Sequence, residues 1–228
     1  MSDIADQFLI GMPKIKDGEY KNLSTMGVPR FLGNITVSKL LTVGINSIIG
    51  RLKCEEIECM GITRVKEKLE IHSIKNVGRC RFTNVLDSYK VENIGFLYAQ
   101  EGIETEFFES TGGFKVNGLL NAGEIKIDIN LPSSAEEIGG DHICIKQENR
   151  AWKFNLINRL LFWNWSIKKP VLKCAAIEGT DISLEYTYAG LVRGNKVRIG
   201  PGCKIKQVEY ADELHTDTKS SINNIVRL

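Results

Sequence analysis

The sequence predicts an all-β fold, a single-stranded parallel β-helix of about seventeen residues per coil, and three observations predict it. Glycines fall on a fixed stride: Gly27, Gly44, Gly61, Gly78, Gly95 and Gly112 are each seventeen residues apart. Apolar columns keep the same beat, with Leu23, Leu40, Ile57, Ile74, Val91, Phe108 and Ile125 in one. Others hold Phe31, Ile48, Val65, Phe82, Ala99 and Val116, or Ile35, Leu52, Leu69, Leu86, Ile103 and Leu120. A further column, just before each glycine, holds Met26, Val43, Met60, Val77 and Ile94. Short runs such as Ile35-Thr36-Val37 and Ile125-Lys126-Ile127 alternate apolar and polar, as half-buried strands do. Repeats of fixed length mark solenoids, in which each unit covers its neighbour's apolar face. Helical repeats need roughly 30 residues for a helix pair, so this period suits three short strands and three corners. Glycine serves a corner because, lacking Cβ, it takes positive φ and lets stacked backbones approach. At about 4.8 Å per coil, ten coils make a rod on the order of 50 Å long.

Four segments follow in order. Residues 1–16 precede the clear repeat and read as an N-terminal tail or cap. Residues 17–148 carry the coils, with a slip of one residue near Ile138 to Ile145. Residues 149–172 interrupt the beat with a short helical or irregular aromatic insert. It holds Trp152, Phe154, Phe162, Trp163 and Trp165 among the cations Arg150, Lys153, Arg159, Lys168 and Lys169, and Pro170 ends the run. Residues 173–228 resume the coils, with Tyr188, Ile205 and Ile222 seventeen apart, as are Leu191, Val208 and Ile225.

Composition narrows function. Thirty Lys and Arg against 28 Asp and Glu give a net charge of +2, so no global field draws nucleic acid and any basic contact must be local. No basic leader opens the chain, and no run of about 20 apolar residues is present to span a membrane. Cys54 shares the inward column of Val37 and Ile71 and reads as a small core residue. Cys54 and Cys59 fall on different strand faces by simple alternation, which argues against a metal pair. The three histidines, His72, His142 and His215, show no carboxylate or nucleophile partner in the sequence, and each reads as a surface residue. Catalytic residues, cofactors and metal ligands are therefore expected to be absent. A β-helical enzyme acting on acyl or sugar substrates remains the rival class.

The aromatic insert has two readings: packing along the rod, or docking on a membrane surface through Trp152, Phe154, Phe162, Trp163, Trp165, Lys168 and Lys169. A non-polymerising membrane adaptor built on 150–169 is the corresponding alternative function.

Five stretches carry a resemblance to a known family. They are Gly18–Leu23 (GEYKNL), Phe114–Ile125 (FKVNGLLNAGEI), Glu137–Gly140 (EIGG), Ile177–Ile182 (IEGTDI) and Val192–Tyr210 (VRGNKVRIGPGCKIKQVEY). With these the chain resembles the bactofilins, polymer-forming cytoskeletal proteins of bacteria, in the branch with an insert between two β-helical stretches. The resemblance implies a right-handed helix, no enzyme activity, and filaments that assemble without nucleotide. It also implies scaffolding near the membrane, hence a cytoplasmic location peripheral on its inner face. The insert is more aromatic than the simplest members carry. A coil stack leaves unpaired strand edges at both ends. Self-association is therefore expected there, through Tyr20 and Leu23 at one end and Ile222, Ile225 and Val226 at the other. A paralogue is a further candidate partner.

Overall fold

The computed structural model describes residues 6–67, 69–147 and 170–228. The chain winds as a parallel β-solenoid of about 12 turns. It comprises β1 (Gln7–Gly11), β2 (Lys14–Ile15), β3 (Gly18–Gly27), β4 (Arg30–Phe31), β5 (Ile35–Ile48), β6 (Leu52–Val65) and β7 (Leu69–Phe82). Next come β8 (Leu86–Asp87), β9 (Lys90–Asn93), β10 (Phe96–Ala99), β11 (Gly102–Ser110), β12 (Gly113–Asp128) and β13 (Ser133–Lys146). After the segment 148–169 come β14 (Leu172–Leu184), β15 (Thr187–Ile199), β16 (Lys204–Thr216) and β17 (Ser221–Arg227). Each coil pairs in parallel with the next, and the pairing follows the glycine stride: Gly27 faces Gly44, Gly44 faces Gly61, and Gly61 faces Gly78.

The inward columns read from the sequence stack as a continuous core. Leu23, Leu40, Ile57, Ile74, Val91, Phe108 and Ile125 are all at most 2% exposed. Cys54 sits between Val37 and Ile71 as expected and is 4% exposed. Cys59 is buried too, which corrects the alternation argument. Glu55 and Glu56 both face out at a corner, so the in/out phase resets between the two cysteines. The column before each glycine also departs from its apolar look: Met26 is 46% exposed and Ile94 36%. At that corner it is the residues two before and two after the glycine that turn inward.

Those inward residues form a polar seam inside an otherwise apolar column. Thr25, Thr42, Cys59, Asn76, Asn93 and Ser110 stack in register two residues before the glycines. Thr25 Oγ1 donates to Thr42 Oγ1 at 3.1 Å, Asn76 Nδ2 to Asn93 Oδ1 at 2.8 Å, and Asn93 Nδ2 to Ser110 Oγ at 3.0 Å. On the far side of the corner Asn46 Nδ2 donates to Thr63 Oγ1 at 3.0 Å. Burying a polar group is costly unless it is paired; these donors find partners on the next coil, while Asn46 Oδ1 and Asn76 Oδ1 have none among the described residues.

The N-terminal segment and the coils beyond the insert add detail. Residues 1–16, expected as a tail or cap, supply β1 and β2, and β1 lies over β3 with Gly11 facing Gly27. Past the insert the stride shortens: Ile177 faces Val192, fifteen residues on. Tyr186, with φ 47°, takes the shortened corner. The next step is sixteen residues, so Ala189 and Val192, and not Tyr188 and Leu191, stand in register with Ile205 and Val208, and Tyr188 turns outward against Lys204.

Buried thiols give a measurable consequence. Burial pushes the Cys54 thiol up to about 12 and the Cys174 thiol up to about 11. A thiol raised in the fold favours folding fully below its unfolded value near 9.0, and that contribution fades as pH rises towards 12. Alkaline titration should therefore leave stability level up to about pH 9 and erode it above, less steeply in Cys54→Val. In native protein a thiol reagent should label exposed Cys144 first, and Cys54, Cys59, Cys80 and Cys203 only after unfolding. Rapid native labelling of Cys80 would contradict the buried stack.

Candidate assembly ends and lateral faces

The C-terminal end is built by continuing the inward columns one coil past their last cover. Ile205 faces Ile222 and Val208 faces Ile225. Ile205 and Val208 are 2% and 0% exposed, whereas Ile225 is 50% exposed, with no described strand lying over β17. Among the described residues β17 pairs with β16 only, leaving its outer backbone edge free. Val226 faces Glu209 in an outward column and lies beside the end face.

The N-terminal end lies one coil further out than expected. Leu23 is fully buried beneath β1, with Gln7 as its register partner. Tyr20 packs half-buried against the core. The rim is instead β1, whose outward residues Phe8 and Ile10 are 61% and 69% exposed.

A lateral ridge runs from that rim along the glycine corner. Ile10, Met26 and Ile94 precede the glycines, Val28, Ile45 and Ile62 follow them, and all six are exposed. The sequence reading missed this surface because it counted Met26 and Ile94 with the repeat's apolar columns without asking which way they point. Trp152, Phe154, Phe162, Trp163, Trp165, Lys168 and Lys169 lie outside the described residues. Their segment leaves after Gln147, whose backbone N–H donates to Glu185 Oε2 at 3.1 Å, and returns at Pro170. Gln147 stands two residues after Ile145, the register successor of Ser110 and Ile127, so the exit falls on the glycine corner.

Two of the three histidines have carboxylate partners, contrary to expectation. His142 Nδ1 lies 3.3 Å from Asp181, and His215 pairs with Glu213. The insert hid the first pairing, since it separates in sequence two strands that are adjacent in space. The His215 ring beside Glu213 holds that carboxyl below its ordinary value. These groups line a shallow hollow of about 300 Å³ with Cys144 and Ser183. His142 and Asp181 are 65% and 44% exposed, so water screens the pair. His72 stacks on Tyr89 with ring centroids 4.7 Å apart. Among the described residues no group of three or more His, Cys, Asp or Glu is placed to hold a metal ion, and no helix is long and apolar enough to cross a membrane.

No family model matches the chain, and no solved structure matches it. Over 112 residues it is 39% identical to the uncharacterized protein YhbF of Bacillus subtilis (strain 168), covering 49% of this chain and 42% of that protein. Over 115 residues it is 38% identical to the uncharacterized protein YhbE of the same organism, covering 50% of this chain and 45% of that one. The matched region spans less than half the length of either relative.

Proposed function

We propose that the chain is a non-enzymatic scaffold that assembles end to end through its terminal coils without nucleotide, as the resemblance to bactofilins suggests. The observation that carries this reading is the end coil, where Ile222 and Ile225 continue the buried columns and no described residue is stacked on them. An open strand edge over apolar columns is a template for another coil. A second copy supplies both the missing hydrogen bonds and the missing apolar cover. Contacts between like ends close on themselves, so growth needs both ends to pair. The apolar glycine-corner ridge supports placement against a membrane or a neighbouring filament.

Electron microscopy and pelleting of purified protein in nucleotide-free buffer test the proposal. Filaments with an axial repeat set by the coil stack are expected, and a monodisperse monomer at every concentration would sink it. The enzyme reading has one observation in its favour, the His142–Asp181 pair beside Cys144 and Ser183. Turnover of an acyl or glycosyl substrate that His142→Ala abolishes, without loss of fold, would establish it.

A further inference from the structure

The net charge of +2 conceals a segregated line of cations. Lys14, Arg30, Ser47, Arg64, Arg81 and Tyr98 face one another coil by coil. The line continues through Lys115, Ser134, Lys173, Tyr188, Lys204 and Ser221. It holds seven cations, three serines, two tyrosines and no carboxylate. Among the described residues none of the seven cations forms an ion pair, although Lys39, Lys75, Lys90 and Lys126 on other columns do. Like charges at this spacing repel, so the row concentrates positive charge that no residue of its own column offsets.

The C-terminal half of this row borders a groove of about 1060 Å³. Its floor is made of small residues, including Ala135, Cys174, Ala189 and Gly190, and beside the row its lining adds Lys206 and one carboxylate, Glu136. From Arg81 onward cations and hydroxyl-bearing residues alternate, so successive cations stand two coils, about 9.6 Å, apart. The tyrosines space the row. Arg81 lies 4.8 Å from the Tyr98 ring centroid and Lys115 5.9 Å, while Lys204 lies 5.3 Å from that of Tyr188. Tyr98 also accepts a hydrogen bond from Asn117 Nδ2 at 2.9 Å.

We propose that this groove seats an extended acidic glycan whose chain alternates charged and neutral sugars. Two coil rises are close to the length of one disaccharide in an extended chain, which places a carboxylate at each cation and hydroxyls at the intervening Ser and Tyr. The recessed floor separates this ligand from a flat lipid surface, which cannot follow it. Single-stranded nucleic acid relies on free aromatic faces for base stacking, and here cations already sit over both tyrosine rings.

The test is fluorescence anisotropy with a labelled hyaluronan octasaccharide, which carries one carboxylate per disaccharide. Saturable binding is expected at low salt, weakening as salt screens the row. Lys173→Ser with Lys204→Ser should weaken it by about tenfold or more. Serine already occupies two neighbouring places in this row, so the fold should persist, and an unchanged melting temperature checks that. Lys39→Ser, on a different column, should bind as the parent does. The proposal is overturned if the octasaccharide fails to bind saturably or if the double variant binds it unchanged. A neutral chitin oligosaccharide, oligo-dT of equal charge or phosphatidylglycerol vesicles binding as tightly would equally overturn it. Lys173 and Lys204 lie on β14 and β16 and not on a terminal strand, so the outcome is independent of whether filaments form.

Discussion

Gly44→Ala is expected to cost about 3 kcal/mol or more, enough to lower the melting temperature by roughly 10 °C in a chain of this size. Two separate faults combine. Gly44 has φ +120°, a conformation that L side chains rarely adopt, and a Cβ built on it would stand 2.1 Å from the Gly27 carbonyl oxygen. That oxygen belongs to a backbone locked in the ladder between β3 and β5, so it cannot withdraw without breaking pairs. The stride also shows that room, and not φ alone, selects glycine. Gly95 and Gly112 have no positive φ in the left-handed range, yet a Cβ would meet the preceding glycine's oxygen at 1.8 and 1.9 Å. Gly139→Ala is the control, because its nearest neighbour is the movable Asn121 Oδ1 at 3.1 Å. It should change stability by about 1 kcal/mol at most. Thermal melts followed by circular dichroism decide the matter. Equal melting temperatures for the two variants would refute the close-stacked corner.

The second large effect concerns assembly. Ile225→Glu should leave the monomer folded, since the side chain is half exposed, while pelleting of filaments is lost. Stacking another coil on β17 would enclose the new carboxylate in the column of Val208 and Ile225. An unpaired polar group buried there costs about 2 kcal/mol or more, which raises the concentration needed for assembly by well over tenfold. Val226→Glu should do far less, because Val226 points sideways with Glu209. If Ile225→Glu forms filaments at the parental threshold, the C-terminal coil is not a growing end.

The regular part of this fold was legible because one stride repeats with one glycine per turn. Every inward position between Leu23 and Ile125 in the main column could be read by counting. Counting failed where the coil changed length. Tyr188, Ile205 and Ile222 keep the interval in sequence, but the step from β15 to β16 is sixteen residues, so Ile205 stacks on Ala189 and not on Tyr188. The polar seam was also available in the sequence, as Thr, Cys, Asn or Ser two places before each glycine, yet it resembled a solvated loop. Only the corner geometry shows that both flanks of the glycine turn inward. The cation row went unseen for a related reason. Arg30, Ser47, Arg64, Arg81, Tyr98 and Lys115 do keep the seventeen-residue interval, but counting followed the apolar columns only, and past Lys115 no fixed interval links it to Lys173 or Lys204. Pairing of His142 with Asp181 depends on two strands meeting across the insert, and linear spacing carries no trace of it.

The place where the winding is interrupted has a mechanical consequence. Gln147 and Pro170 open onto the flank of the shaft and leave both tips free. A passenger spliced at this junction would enter and leave the coil stack at its side, so the pairing of the described end strands is expected to persist. Along the proposed polymer this junction would recur once per subunit, on the order of 60 Å apart for twelve turns at this rise. A folded passenger domain inserted at this junction would be displayed at the same regular interval.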